Sequence, residues 1–311
     1  MTVLQMAIKL MLYIAVGFAA RKMKILADGF DKMLTRFLMA VPLPCMIINT
    51  FKLDFSLEQL MNCPRLIGLS ALSLIVCFIL GQIVYMAMGK GGLGKAARFS
   101  LIFTNFTFFG FSVVSELYGN EASFYYVIFT LLIRIFFYGA APILVGAGGE
   151  HFDLKQAAKQ FISVPVVAVF IGLFLYITQL QLPEIISSVM TSFGNMASPL
   201  GLMLCGIIIA DASFKGILKY PCVLWLTALR LLLVPGVMLG IFLLLGIDHE
   251  IIRSLHYYFA MPCATFLPTF FLRYNPDDTE ARSMASFLVV CSTLCCVVTI
   301  PLWAMVMEHI L

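Results

Sequence analysis

Charge is what this chain has least of: Asp, Glu, Lys and Arg make up 12% of its 311 residues, where a soluble domain carries roughly a quarter. That is too little polar side chain to cover a water-facing globule, so a soluble fold is excluded. The four histidines (His151, His249, His256, His309) form no ligand-spaced cluster, which argues against metal chemistry. The nine cysteines contain no Cys-x-x-Cys pair. Most of them lie in apolar runs, where a thiol behaves as a small hydrophobe, and no disulfide framework is implied. The stretch Gly89-Lys-Gly-Gly-Leu-Gly94 lacks the P-loop pattern and reads as a turn. A net charge of +4 gives no reason to expect nucleic acid, and no motif calls for a cofactor.

What is abundant is apolar surface, at 62% of residues and a mean hydropathy of +1.02. A membrane-crossing helix needs about 20 such residues in a row. Ten runs qualify: 2–20, 33–51, 65–88, 97–115, 122–146, 161–180, 185–210, 221–246, 251–272 and 283–307. The first differs from a cleaved leader, because Lys9 interrupts the apolar run and Arg21, Lys22 and Lys24 follow it. Residues 1–21 therefore read as a retained span. Residues 147–160 are the longest connection and read as a cytoplasmic linker.

Lys and Arg accumulate on the cytoplasmic side of membrane proteins. Loops after spans one, three, five, seven and nine carry Arg21, Lys22, Lys24, Lys32, Arg36, Lys90, Lys95, Arg98, Lys155, Lys159, Lys215, Lys219, Arg273 and Arg282. The other side carries only Lys52, Arg65 and Arg253. This asymmetry places both chain ends outside the cytoplasm.

The halves echo each other. Ala40-Val-Pro42-Leu43 matches Ala197-Ser-Pro199-Leu200, Tyr118 matches Tyr274, Glu121-Ala122 matches Glu280-Ala281 and Pro142 matches Pro301, in constant order. Residues 1–146 and 161–311 thus read as two five-helix repeats, and an odd helix number inverts the second relative to the first. Inverted repeats mark secondary transporters, whose sites lie on helices broken at corresponding places. Helix nine carries two prolines mid-span, in Pro262-Cys-Ala-Thr265-Phe-Leu-Pro268, and helix four carries Thr104-Asn105-Phe106-Thr107-Phe108-Phe109-Gly110 at the corresponding depth. The sequence predicts that these two break and cross.

Two arginines, Arg134 and Arg230, lie inside spans, where each costs about 2.5–3.5 kcal/mol at the helix centre. Each has two readings: a partner for a carboxylate substrate, or a bond to backbone carbonyls at a helix break. Lys9 is expected to snorkel outward and His256 to sit exposed at the outer interface. All acidic residues lie in loops or at span ends, with Glu116 and Asp211 nearest the membrane. That distribution favours an anionic substrate.

With these residues in place, the chain resembles the auxin efflux carrier family, which includes plant auxin exporters and bacterial malate and malonate permeases. The resemblance rests on Gly17 with Arg21-Lys22, Val41-Pro42 with Asn49, and Asn105 with Gly110-Phe111. It continues through Pro199-Leu200 with Gly206, Arg230 with Pro235, Pro262, and Thr299-Ile-Pro301-Leu302-Trp303. Related members often carry a proline in the helix-four break; Phe108-Phe109-Gly110 stands there instead. The resemblance implies an all-α membrane fold related to bile-acid symporters and sodium–proton antiporters. Helices one, two, six and seven would form a scaffold that pairs into a homodimer, and the remainder a transport domain moving as an elevator. The expected substrate site comprises Thr104, Asn105, Thr107 and Gly110 with Pro262, Thr265 and Pro268. Arg134 and Arg230 would supply charge, and Asn49 and Asn195 would face the site from the scaffold. Such a protein would sit in lipid in the cytoplasmic membrane and carry a small mono- or dicarboxylate or auxin-like acid. Two rivals stand beside it: a ligand sensor on a transporter fold, and an intramembrane hydrolase built on Ser112 and His256.

Overall fold

The structure is a computed structural model that describes residues 3–146, 163–211 and 219–311. The linker read at 147–160 lies outside the described residues, as do Lys155, Lys159 and Lys215. Among the described residues there is no strand, and six helices are long and apolar enough to cross a bilayer.

The helices are α1 (Val3–Lys22), α2 (Phe30–Ala40), α3 (Pro42–Thr50), α4 (Leu57–Ala87) and α5 (Gly92–Ile102). After a π turn at Phe106–Gly110 come α6 (Phe111–Val145), α7 (Val164–Thr178) and α8 (Glu184–Asp211). The chain ends with α9 (Cys222–Leu244), α10 (His249–Ala260), α11 (Leu267–Tyr274) and α12 (Thr279–Ile310). Several expected spans are thus divided. The run at 33–51 is cut at Val41 (φ −127°, ψ −67°) by the following Pro42. The runs at 97–115 and 122–146 meet in α6 across a kink at Gly119, whose φ of 75° and ψ of −159° suit a residue without Cβ. α9 contains a π turn at Leu229–Leu233.

Two groups of helices emerge from the packing. α1, α2, α3 and α7 assemble around α8 or one another, while α4, α5, α6 and α9 to α12 form the second group. α1 shows why the chain needs lipid. Met6, Leu10 and Ile14 are buried at one-turn intervals, whereas Ile8, Leu12 and Val16 on its other side are more than half exposed. Apolar residues face both ways.

α1 and α8 approach at backbone distance. A Cβ on Gly17 would lie 2.0 Å from the Met203 carbonyl oxygen, and one on Gly206 would lie 1.9 Å from that of Ile14. Small residues permit such contact between membrane helices. At the far end of α1, Arg21 bonds Asp211 at 2.7 Å and Asp28 at 2.9 Å, tying the helix ends together. Gly206→Val would push backbone against backbone, with no flexible side chain to yield. It should destabilise the protein by roughly 3 kcal/mol or more, and a melt in detergent should show a large drop for Gly206→Val beside a near-native Gly240→Ala, which meets open space.

Candidate functional site

α5 stops at Ile102 and α10 at Ala260, and the chain beyond each is extended: Phe103 has φ −115° and ψ 135°, Met261 φ −77° and ψ 153°. The two unwound segments cross antiparallel. Thr104 bridges Cys263, the Asn105 N–H donates to the Pro262 carbonyl at 2.8 Å, and the Ala264 N–H to the Phe103 carbonyl at 3.3 Å. The Cys263 N–H finds the Ser292 hydroxyl on α12 at 3.0 Å. Non-helical backbone survives at membrane depth only where protein or a cavity satisfies it, and here each break satisfies the other.

The first break forms without proline. The Asn105 carbonyl accepts the N–H groups of Phe109 (3.2 Å) and Gly110 (3.0 Å), which opens the π turn. The Tyr126 hydroxyl donates to the Phe106 carbonyl at 2.9 Å. π turns inside helices recur at functional sites. In the second break only Pro262 lies in unwound chain. Pro268 sits at the start of α11, where its missing N–H would have had no helical partner.

Arg230 makes the contacts of the second of its two readings. It is buried, and its guanidinium donates to the carbonyls of Leu101 (2.9 Å), Phe259 (3.0 Å), Met261 (3.3 Å) and Tyr258 (3.4 Å). Those carbonyls belong to the last turns of α5 and α10 and to the break beyond, so one cation caps both half-helices. It stands on the π turn of α9. Pro235 lacks the N–H that would bond the Leu231 carbonyl, and the Trp303 indole N–H takes its place at 2.8 Å. Arg134 donates to the Thr107 hydroxyl at 3.2 Å and lies over the Phe106 ring, 5.0 Å from its centroid.

The expected site residues divide into two sets. Thr104, Asn105, Thr107 and Thr265 meet around a space of about 10 Å³, with Met39 and four phenylalanines for walls. That is room for roughly one water. The Asn105 amide donates to the Thr265 hydroxyl at 2.8 Å and to Cys205 Sγ on α8 at 3.2 Å, joining both breaks to the first helix group. Gly110 packs under Tyr126. Asn49 and Asn195 instead line a separate polar cavity of about 280 Å³ between α1, α3, α8 and the start of α6. Asn49 Nδ2 donates to the Met190 carbonyl at 3.1 Å, while its Oδ1 is buried without a hydrogen-bond partner.

This cavity lies next to the π turn rather than at the crossover itself: its walls include Phe111 and Ser112, which follow the turn, with Glu116, Asn120 and Pro199. Phe108 of the turn instead belongs to an apolar cluster with Leu34, Leu38, Leu204 and Ile207, against which Met39 and Phe266 pack. Phe108 presses directly on Gly201 of α8.

One expectation is extended and one corrected. Lys9, 38% exposed, ends in a polar cavity where its ammonium bonds Glu116 at 2.5 Å. His256 is fully buried rather than exposed, with its ring against Trp303 at 4.8 Å and no hydrogen bond on either nitrogen. The Ser112 hydroxyl donates to the Phe108 carbonyl at 2.5 Å, so Ser112 and His256 are not hydrogen-bonded to each other. Lys9 in an otherwise apolar run was the one visible signal for the Lys9–Glu116 pair. Nothing local marked Tyr126, Cys205 or Trp303 as parts of the crossover.

The family described as membrane transport protein matches the chain as two repeats, over residues 2–159 and 152–304. No curated protein is significantly similar in sequence.

Proposed function

The chain belongs to the membrane transport protein family of auxin efflux carriers, and from that premise we propose that it is a secondary carrier for a small organic anion. The observation that carries this reading is the antiparallel crossing of two unwound segments from the two repeats, with a polar cavity next to its π turn. Secondary carriers build their substrate sites where such discontinuous helices meet. The cavity's size, about 280 Å³, is just under the range of roughly 300–1,000 Å³ typical for drug-sized ligands, which favours a mono- or dicarboxylate.

α10 and α11 are too short to span lipid singly, at 12 and 8 residues, but in line across their break they make one crossing. Counting α2 with α3 and α5 with the first part of α6 in the same way gives ten crossings in two inverted sets. The Lys and Arg asymmetry then sets both chain ends outside the cytoplasm and the 280 Å³ cavity open to the outside. In this reading the group around α8 is the scaffold, paired with a second copy in the cytoplasmic membrane, and the crossover group slides against it as an elevator. The Asn105–Cys205–Thr265 contact is the bond that each stroke breaks.

Purified protein in proteoliposomes should take up labelled malate or malonate with saturation. Binding by calorimetry without flux would make the protein a sensor instead. Neither binding nor flux for malate, malonate or lactate would refute the small-carboxylate assignment.

A further inference from the structure

We infer that Lys9 is the receptor for the anion's carboxylate in the open cavity, and that Glu116 occupies it as an internal competitor until substrate arrives. This rests on the carboxylate-carrier reading above. Among the residues lining the cavity, Lys9 is the single cation and Glu116 the single carboxylate. The two arginines that the sequence offered for charge are engaged at the crossover, Arg230 with four carbonyls and Arg134 with Thr107 and Phe106. An anion entering this space therefore meets Lys9 first, and Lys9 already holds a carboxylate of the same chemistry.

The pair suits exchange. Its side chains are 38% and 32% exposed, so water can reach both partners and neither is left dry when they separate. Ion pairs of that exposure contribute little net stability. The two residues also come from opposite walls, Lys9 from α1 and Glu116 from α6, so the bond joins the two helix groups. A substrate carboxylate that takes Lys9 releases Glu116 and, with it, a link between the scaffold and the crossover group. Asn49, Asn195 and Ser198 on the same walls provide neutral hydrogen-bonding groups for the rest of the molecule.

The test is malate affinity, measured by calorimetry on detergent-purified protein at constant ionic strength. Glu116→Gln should tighten malate binding about ten-fold, because the competitor is gone. Lys9→Gln should weaken it at least ten-fold, and Lys9→Gln/Glu116→Gln should stay weak. Lys9→Arg should retain binding, which guards against loss through misfolding. A plain structural strap predicts something different: both single changes would move affinity in the same direction and the neutral double variant would behave like either. That same-sign result, or full malate binding by Lys9→Gln, would overturn the inference while leaving the carrier reading intact. Failure of the unmodified protein to bind malate, malonate and lactate would remove both.

Discussion

Arg230→Met should leave little folded protein, even though no ligand is needed to see the effect. Among the described residues the guanidinium is the one cation bonded to carbonyls of both α5 and α10, and its two shortest bonds go to Leu101 and Phe259. Deleting it orphans buried carbonyls at roughly 1–3 kcal/mol each, and the longer bonds to Met261 and Tyr258 add to that. A loss of about 4 kcal/mol or more should appear as aggregation on size-exclusion chromatography and a collapsed thermal transition. Arg230→Lys should recover part of the stability, since a single ammonium lacks the planar fork that reaches two helices at once. Should Arg230→Met instead fold normally and lose only malate uptake, the guanidinium would be a substrate ligand and its capping role incidental.

That outcome was half legible in the sequence. A cation within a span and five residues before a proline announces a polar partner, but the identity of the partner is a matter of tertiary contact. Leu101 lies 129 residues from Arg230. The breaks themselves were legible through Pro262 and the Thr-Asn-Thr cluster, because helix-weakening residues mid-span have few other uses. Their pairing was not, since Asn105 N–H to Pro262 carbonyl is a bond between repeats. The burial of His256 is not readable from the sequence for a related reason. All residues of α10 from 254 to 260 are buried, so no periodicity separates an inner from an outer face. The partner of Lys9 is not readable from the sequence, because Glu116 is 107 residues away. The π turn at Phe106–Gly110 had no proline to signal it, and depends on Tyr126, twenty residues along the chain.

Gly110→Ala should nearly abolish transport, and Tyr126→Phe should partly restore it. A Cβ on Gly110 would lie 2.0 Å from Tyr126 Oη and 3.1 Å from Met261 Cγ. Those atoms border both breaks: Tyr126 holds the Phe106 carbonyl, and Met261 opens the unwound stretch after α10. The methyl must therefore expel the phenol or displace the π turn, an overpacking penalty of about 3 kcal/mol. Removing the hydroxyl leaves the ring carbon as the nearest atom of residue 126, at 3.1 Å, a contact that small shifts can relieve. Tyr126→Phe alone forfeits one buried hydrogen bond, about 1 kcal/mol. The two changes together should then be milder than Gly110→Ala by itself, with a coupling of roughly 1–2 kcal/mol in a double-mutant cycle of melting temperatures. Malate uptake in proteoliposomes should follow the same order. Additive losses would mean that the space beneath Gly110 is not set by Tyr126, and the crossover would then have to be held open by something other than this ring.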